Sequence, residues 1–393
     1  METPDIKNAP RANGPAPEKA GRAADENAVA PTARRTPAQD SCPAVSFLPA
    51  TAVLEITRAC NHRCVFCSCP WEAARLNGFE SRAELSVDDW KAAIDMLCAR
   101  GVGNIAFSGG EALLRKGIFE IIKHAAARTV THIETRDGRL VRENRPPALF
   151  LISNGTVVTR ETLLFLREHG VRLSMSLPGL ATLPALTGIG DPDVILDKFR
   201  MARELGMRTV VNVTVTKQNL PELYQTISAA FLAGARQLLL NRFLPGGRGL
   251  FHRELLLDAR DIRQMLDTAE AALADAGLFG SVGTELPKCL VDASRHKRLT
   301  VGTRCSAALD FFVIGPDGFA RVCNHSTVKL LPFREMDALP AHPYWRRFTL
   351  KDYLPPACMA CPQMGDCDGG CREAARICGG APDSPDPLLA GPC

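Results

Sequence analysis

Four cysteines stand close together in the stretch TRACNHRCVFCSCP. Three of them, Cys60, Cys64 and Cys67, have the spacing C-x3-C-x2-C, and the aromatic Phe66 precedes the last one. Thiolates at such a spacing ligate zinc, form disulfides or hold an iron–sulfur cluster, and structural zinc usually takes four ligands. The fourth thiol, Cys69, follows too closely after Cys67 to be expected as a ligand. Three thiolates on one loop favour a cluster that keeps one iron open.

A second cysteine group lies near the carboxyl end and contains the run C-x2-C-x5-C-x3-C, preceded by a G-x4-C motif. Secreted disulfide proteins are short chains with little core, whereas this chain has a large apolar core and 15 cysteines, most of them in two groups. We therefore expect metal or cluster ligation in a reducing cytosol, with a zinc ribbon as the competing interpretation of the second group. The members of the second cysteine group are Cys289, Cys305, Cys323, Cys358, Cys361, Cys367, Cys371, Cys378 and Cys393.

Between the two cysteine groups, six short apolar runs alternate with helical patterns, which predicts a parallel α/β fold. Six units favour a partial (βα)6 barrel over a closed eight-stranded barrel, with an open sheet as the alternative. Reactive groups of such folds lie on the loops after the strands, and here the first cysteine group, SGGE, SNG, SLPG and LPGGRG all follow strands. The runs are TAVLEIT (51–57), NIAFSGG (104–110), ALFLISNG (148–155), VRLSMSLPG (171–179), RTVVNVTVT (208–216) and QLLLNRFLPG (237–246).

The composition is that of an ordinary globular protein. With 393 residues, 46% hydrophobic and 23% charged, the chain predicts one large domain and a smaller one. We expect a disordered Ala/Pro-rich tail over residues 1–46, the barrel over 47–280 and a cysteine-rich domain over 281–393. The net charge of +4 is too small and too evenly spread to indicate nucleic acid, and no apolar run is long enough to span a membrane.

The pattern C-x3-C-x-F-C after the first strand, together with SGGE after the second, resembles the radical S-adenosylmethionine (SAM) superfamily. The resemblance implies that the first three cysteines hold a 4Fe-4S cluster whose open iron binds SAM, with Phe66 in the aromatic position. It implies that SGGE holds the methionine amino group of SAM, because glycines allow close approach and a carboxylate pairs with an ammonium. In this family SAM is cleaved to a 5′-deoxyadenosyl radical that abstracts hydrogen from the substrate. The residues of SGGE are Ser108, Gly109, Gly110 and Glu111.

Other cofactor contacts follow from the same resemblance. Ser153, Asn154 and Ser176 match polar residues that face the cofactor in relatives, although buried polar groups at strand ends need partners in any case. The chain departs from the family at Thr187, where relatives commonly carry an arginine near the cofactor carboxylate. Arg242, at the end of the sixth strand, is the candidate to replace that arginine.

The second cysteine group resembles the SPASM extension, in which auxiliary clusters follow the radical SAM domain. By that resemblance the ligands of the first auxiliary 4Fe-4S cluster are Cys305, Cys323 and Cys371. Those of the second are Cys358, Cys361 and Cys367. The first cluster is completed by Cys289 or keeps an open iron. The second needs one later cysteine, for which the family spacing favours Cys393 over Cys378.

The SPASM resemblance favours a peptide or protein substrate, modified by crosslinking, epimerisation or excision, over a tetrapyrrole or other small cofactor precursor. Sulfatase maturases carry an Asp after the G-x4-C cysteine, where this chain has Asn324, followed by His325 as a candidate catalytic base. We expect an external one-electron donor, and recognition of the peptide by a separate protein or by the barrel face. The opposing hypothesis is an electron-transfer iron–sulfur protein, which needs neither SGGE nor an open iron.

Overall fold

The computed structural model describes residues 48–80, 82–136 and 138–390 of the chain. The tail predicted over residues 1–46 and the candidate ligand Cys393 lie outside these ranges. From Leu48 onward, the described residues belong to one compact unit. None of their helices is long and apolar enough to cross a membrane.

The strands of the described chain form a large sheet and a separate hairpin. Their bounds are β1 (Thr51–Glu55), β2 (Asn104–Ser108), β3 (Val130–Arg136), β4 (Arg139–Arg145), β5 (Ala148–Ser153), β6 (Arg172–Ser176), β7 (Thr209–Val215), β8 (Gln237–Arg242), β9 (Gly280–Val282), β10 (Leu299–Val301), β11 (Phe311–Ile314) and β12 (Ala320–Arg321). The large sheet has the order β10-β9-β8-β7-β6-β5-β2-β1-β11-β12, and β3 pairs with β4.

The predicted parallel α/β fold is confirmed. The six apolar runs form β1, β2, β5, β6, β7 and β8, which lie side by side, and every neighbouring pair among them is parallel. Beyond the predicted strands, β9 and β10 extend the sheet past β8. At the opposite edge of the sheet, β11 and β12 pair in the antiparallel direction. Because the six central strands are parallel, their carboxyl ends share one edge of the sheet.

Helices alternate with the central strands as the sequence patterns predict. The helices of the described chain are α1 (Ala74–Asn77), α2 (Val87–Ala99), α3 (Ile118–Ala126), α4 (Arg160–Glu168), α5 (Leu183–Thr187), α6 (Asp193–Glu204), α7 (Leu223–Ala233), α8 (Ala259–Ala276), α9 (Pro343–Thr349), α10 (Arg372–Gly379) and α11 (Pro387–Ala390). At the start of α2, Ser86 and Asp89 form a reciprocal capping box, with bonds of 3.1 and 3.2 Å. Buried Trp90 and Leu97 of α2 belong to the hydrophobic core.

The residues after position 281 join the same sheet as the central strands. β11 pairs in parallel with β1, and the pairing begins with Thr51 opposite Phe311. A buried ion pair between Arg321 of β12 and Glu55 of β1 strengthens this junction. Trp345 of α9 packs edge-on against Phe312 with their ring centroids 6.1 Å apart. The second cysteine group is therefore carried next to β1, whose carboxyl end leads into the first cysteine group.

Candidate active site

A cavity of about 430 Å³ lies at the carboxyl edge of the central strands. Its position is the one that parallel α/β folds use for ligands, and its size is that of cofactor and small-ligand sites. It brings together the loops that the sequence predicts to converge. The predicted site residues that line it are Cys60, Cys64, Phe66, Cys67, Ser108, Gly109, Gly110, Ser153, Asn154, Ser176, Arg242, Cys305, Cys323, His325 and Cys371.

The thiols of the first cysteine loop lie near one another. Burial raises the pKa of the Cys64 thiol to about 12, and negative charge on Cys67 and Cys60 adds to the shift. A hydrogen bond from the Cys69 thiol lowers the pKa of Cys67. The Cys69 Sγ also lies 3.8 Å from Gly109 O as a donor. Cys69 thus lines the same cavity and contacts one predicted ligand, Cys67, directly.

Two other segments hold the backbone of the cysteine loop. Arg63 N–H donates to Thr187 O at the end of α5, at 3.0 Å. In LPGGRG, the Arg248 guanidinium donates to Cys64 O at 2.9 Å. Gly247 has a φ of 49°, and a Cβ there would come within 2.3 Å of a carbonyl oxygen of the cysteine loop. Sequence reasoning missed Arg248, although the glycines around it are a signal of such a close approach.

The glycines of SGGE allow the end of β2 to approach the start of the cysteine loop. Gly110 N–H donates to Thr57 O and Glu111 N–H donates to Ala59 O, both at 2.8 Å. A Cβ on Gly110 would lie 2.3 Å from Ala59 O, and Gly109 has a φ of 126°. The protein's own backbone therefore requires both glycines, apart from any ligand.

The Glu111 carboxylate is fully buried and accepts hydrogen bonds from its own chain. Asn154 N–H donates to it at 2.7 Å, and the Ser153 hydroxyl and Leu113 N–H donate at 3.1 Å. Burial raises the pKa of Glu111 above its ordinary value, and these hydrogen bonds oppose the shift. Glu111 is not among the described residues that line the cavity. Its carboxylate joins the SGGE loop to the SNG loop.

The SNG loop is in turn joined to the cysteine loop. Asn154 Nδ2 donates to Asn61 Oδ1 at 2.8 Å, and Asn61 Nδ2 donates to Thr156 Oγ1 at 2.7 Å. The Thr156 hydroxyl donates back to Asn154 Oδ1 at 2.7 Å. Hydrogen bonds thus join the loops after β1, β2 and β5 into one polar network, with Glu111 at its buried end.

Arg242 lines the cavity but is bound by a carboxylate of the chain. Its Nη1 donates to Asp386 Oδ1 at 3.0 Å, and its Nη2 donates to Asp386 Oδ2. Both side chains are buried, and Asp386 Oδ2 also accepts from Cys371 N–H at 2.8 Å. Both terminal nitrogens therefore already bind a carboxylate of the chain, and the role of Arg242 at a cofactor carboxylate stays a prediction. Of the three guanidinium nitrogens, Nε is the one without a partner among the described residues.

Three thiols of the second cysteine group share the cavity with the first. Cys305, Cys323 and Cys371 are buried, and burial raises the pKa of each, that of Cys371 to about 12. Charge on Cys371 also raises the pKa of Cys305 and Cys323, as expected for thiols that line one cavity. Within the described ranges, no three His, Cys, Asp or Glu side chains converge closely enough to hold a single metal ion. A four-iron cluster binds each thiolate through a different iron and spaces its ligands more widely.

The predicted base His325 lies on the cavity wall, which the side chains of Glu373 and Glu285 also line. Burial lowers the pKa of His325 to about 4, so its imidazole is neutral near pH 7. Glu373 accepts hydrogen bonds from Tyr344 Oη and Arg376 Nε, both at 2.7 Å. Glu285 accepts from Ser306 N–H at 3.0 Å, and burial raises its pKa. Neither carboxylate was predicted as a site residue.

The remaining predicted ligands lie apart from this cavity. Cys358, Cys361 and Cys367 are partly exposed and do not belong to its described lining. Cys289 lies near Cys367, because the N–H of the preceding Lys288 donates to Cys367 Sγ at 3.3 Å. Its neighbours are therefore the second predicted ligand set, whereas the sequence interpretation offered it to the first.

Polar side chains from β7, β8 and the segment after β9 also line the cavity, and sequence reasoning missed them. Asn241 Nδ2 donates to Asn212 Oδ1 at 3.0 Å, and Thr284 Oγ1 donates to Asn241 Oδ1 at 3.3 Å. Thr214 lies two residues after Asn212 and faces the same cavity. The alternation VNVTV in β7 is the signal that could have found them, since every second residue of a strand faces one side.

Residues 54–230 match the model of the radical SAM superfamily. Because the cysteine loop and SGGE lie within these residues, the chain contains a radical SAM domain. It is similar to the PqqA peptide cyclase of Rhodopseudomonas palustris, with 28% identity over 356 residues that cover 87% of each chain.

The chain is also similar to a second curated protein and to a solved structure. The AdoMet-dependent heme synthase of Oleidesulfovibrio alaskensis is 23% identical, over 97% of this chain and 95% of that one. The crystal structure of Streptococcus suis SuiB bound to precursor peptide SuiA has a TM-score of 0.64 and 15% identity. That match covers 86% of this chain and 75% of SuiB, and it shows a common fold.

Proposed function

We propose that this radical SAM enzyme modifies a ribosomally made peptide by crosslinking, epimerising or excising residues. The observation that carries the proposal is the one cavity shared by the first cysteine loop and by Cys305, Cys323 and Cys371. A substrate in that cavity would meet the site of hydrogen abstraction on one side and an auxiliary cluster on the other. The auxiliary cluster could then take up or deliver an electron at the same substrate.

The residues of the cysteine loop fit a four-iron cluster with one open iron. Cys60, Cys64 and Cys67 line the cavity, and the loop backbone is anchored by the chain itself. When bound there, the 4Fe-4S cluster and SAM supply a 5′-deoxyadenosyl radical that abstracts hydrogen from the substrate. We assign the cofactor contacts to the residues that line the cavity around this loop, namely Phe66, Ser108, Gly109, Gly110, Ser153, Asn154 and Ser176.

Glu111 and Arg242 have more specific proposed roles. Glu111 positions the cofactor-facing loops through Asn154, because its carboxylate is buried among donors of its own chain. Arg242 positions the second cysteine group through Asp386, and its Nε has no partner among the described residues and is the proposed contact of a cofactor carboxylate. Both residues are therefore proposed to hold other site residues in position.

The cysteine-rich residues 281–393 are proposed to hold two auxiliary 4Fe-4S clusters. One uses Cys305, Cys323 and Cys371 beside the cavity. The other uses Cys358, Cys361 and Cys367, away from it. The neutral imidazole of His325, on the cavity wall, is the proposed acceptor of a substrate proton. An external one-electron donor supplies the electron for SAM cleavage, and either a separate protein or the barrel face recognises the peptide.

The relatives favour a peptide but also suggest a second candidate. The relative with 28% identity is named a PqqA peptide cyclase, which supports a peptide substrate. The relative named AdoMet-dependent heme synthase covers 97% of this chain and makes a tetrapyrrole the second candidate. Both candidates require the same radical SAM site, so they differ only in what occupies the rest of the cavity.

A substrate assay separates the two candidates. The reconstituted enzyme is given SAM and dithionite with either the Rhodopseudomonas palustris PqqA peptide or a tetrapyrrole, and 5′-deoxyadenosine and substrate mass are measured. Peptide-dependent stimulation of 5′-deoxyadenosine formation supports peptide modification when the peptide loses hydrogen mass (crosslinking), loses residue mass (excision) or takes up deuterium from D2O (epimerisation). Stimulation by the tetrapyrrole alone, with a mass change in it, would replace the peptide proposal by the second candidate.

A further inference from the structure

Cys289 is the first residue of the second cysteine group, and it lies on a short turn, Lys288–Leu290, that packs against the run C-x2-C-x5-C-x3-C. Lys288 N–H donates to Cys367 Sγ at 3.3 Å, so the residue next to Cys289 contacts a predicted ligand. The Lys288 ammonium also binds Asp366 Oδ2 at 3.1 Å. Two independent contacts thus fix this turn beside Cys367.

The chain just before Cys289 packs closely against the segment that follows Cys367. Gly370 has a φ of 91°, and a Cβ there would lie 2.9 Å from Pro287 Cγ and 2.3 Å from Asp386 Oδ2. The chain before Cys289 is therefore in close contact with the segment that carries the later cysteines. Since Gly370 follows Cys367 closely, these contacts constrain the distance between the two thiols.

The electrostatic neighbours of the Cys289 thiol are the same three cysteines. After burial, negative charge on Cys367, Cys358 and Cys361 raises the pKa of Cys289. Charge on Cys367 and Cys361 likewise raises the pKa of Cys358. Cys289 and Cys358 therefore both lie near Cys367 and Cys361, and none of the four thiols belongs to the described lining of the cavity.

We propose that Cys289 is the fourth thiolate ligand of the second auxiliary cluster, together with Cys358, Cys361 and Cys367. The inference rests on the proposed auxiliary clusters. Four thiolates, each losing a proton on ligation, close a 4Fe-4S cluster and leave no open iron, which suits electron transfer. The first auxiliary set then keeps three thiolates and faces the cavity. The second cluster is complete without Cys378 or Cys393, although the family spacing favours Cys393.

The test uses the full-length chain with Cys60, Cys64 and Cys67 changed to alanine, so that only auxiliary iron remains. Into this background we introduce Cys289→Ser, and in a parallel variant Cys393→Ser. Iron, sulfide and the EPR spectrum of the dithionite-reduced protein are measured after anaerobic reconstitution. The background is expected to hold about eight irons, four for each cluster. A background with about four or none would refute the auxiliary clusters themselves, separately from the role of Cys289.

With about eight irons in the background, the proposal predicts that Cys289→Ser loses about four irons or replaces the EPR signal of one cluster. Cys358→Ser should give the same change, while Cys393→Ser and the buried helical control Cys98→Ser should leave iron and spectrum unaltered. Unchanged iron and an unchanged spectrum in Cys289→Ser, with loss in Cys393→Ser, would overturn the proposal. Circular dichroism before reconstitution shows whether each variant is folded, and a misfolded Cys289→Ser is replaced by Cys289→Ala.

Discussion

Replacing Glu111 with alanine removes the buried end of the network that joins three active-site loops. Two fixed backbone donors, Asn154 N–H and Leu113 N–H, lose their acceptor inside the protein. The third donor, the Ser153 hydroxyl, can rotate toward a different acceptor. A buried donor left unsatisfied costs about 1–3 kcal/mol, so the free energy of unfolding should fall by about 2–6 kcal/mol. This loss is expected without SAM, because the donors to Glu111 belong to the chain itself.

Urea unfolding of the cluster-free protein under reducing conditions measures the effect. The matched control is Glu120→Ala, which removes a half-exposed carboxylate paired with Lys91 on the surface. It should cost less than about 1 kcal/mol, as exposed ion pairs do. If Glu111→Ala leaves the unfolding free energy unchanged but weakens SAM binding, then Glu111 acts on the cofactor directly and its positioning role is refuted.

Two further substitutions test the contacts on either side of the cavity. Gly110→Ala should displace the cysteine loop, since its Cβ would lie 2.3 Å from Ala59 O. Cluster iron and 5′-deoxyadenosine should both fall, while Gly190→Ala, with open space around its Cβ, should alter neither. Arg242→Met should lower the free energy of unfolding by about 3–5 kcal/mol, because Asp386 stays buried and unpaired. Urea unfolding should show part of that loss recovered when Asp386→Leu is added, since Cys371 N–H then loses its acceptor, and no recovery would contradict the pairing.

The sequence predicted the central strands and helices well because their signals are local. A run such as VVNVTV has the strand period within itself, and a capping box such as Ser86 with Asp89 spans only a few residues. The spacing of the first cysteine loop and SGGE is local too. Their meeting at one edge follows from the parallel order of the strands, whose carboxyl ends share that edge.

Contacts between distant parts of the chain were not predictable in the same way. Arg242 binds buried Asp386, which lies 144 residues later in the chain, and no sequence pattern near Arg242 indicates this contact. The pairing of β11 with β1 likewise joins segments that lie far apart in the chain. Cys289 is the clearest case, because its sequence position precedes both ligand sets and only the folded chain places it beside Cys367.

The central claim is that Cys60, Cys64 and Cys67 hold the cluster at which SAM is cleaved. The most direct test is to reconstitute the protein anaerobically, add SAM and dithionite, and measure 5′-deoxyadenosine by mass spectrometry. The wild-type chain should form 5′-deoxyadenosine, and the variant with all three cysteines changed to alanine should form none while retaining its auxiliary iron. Continued formation of 5′-deoxyadenosine by that variant, or none by the wild type with a full complement of iron, would contradict the claim.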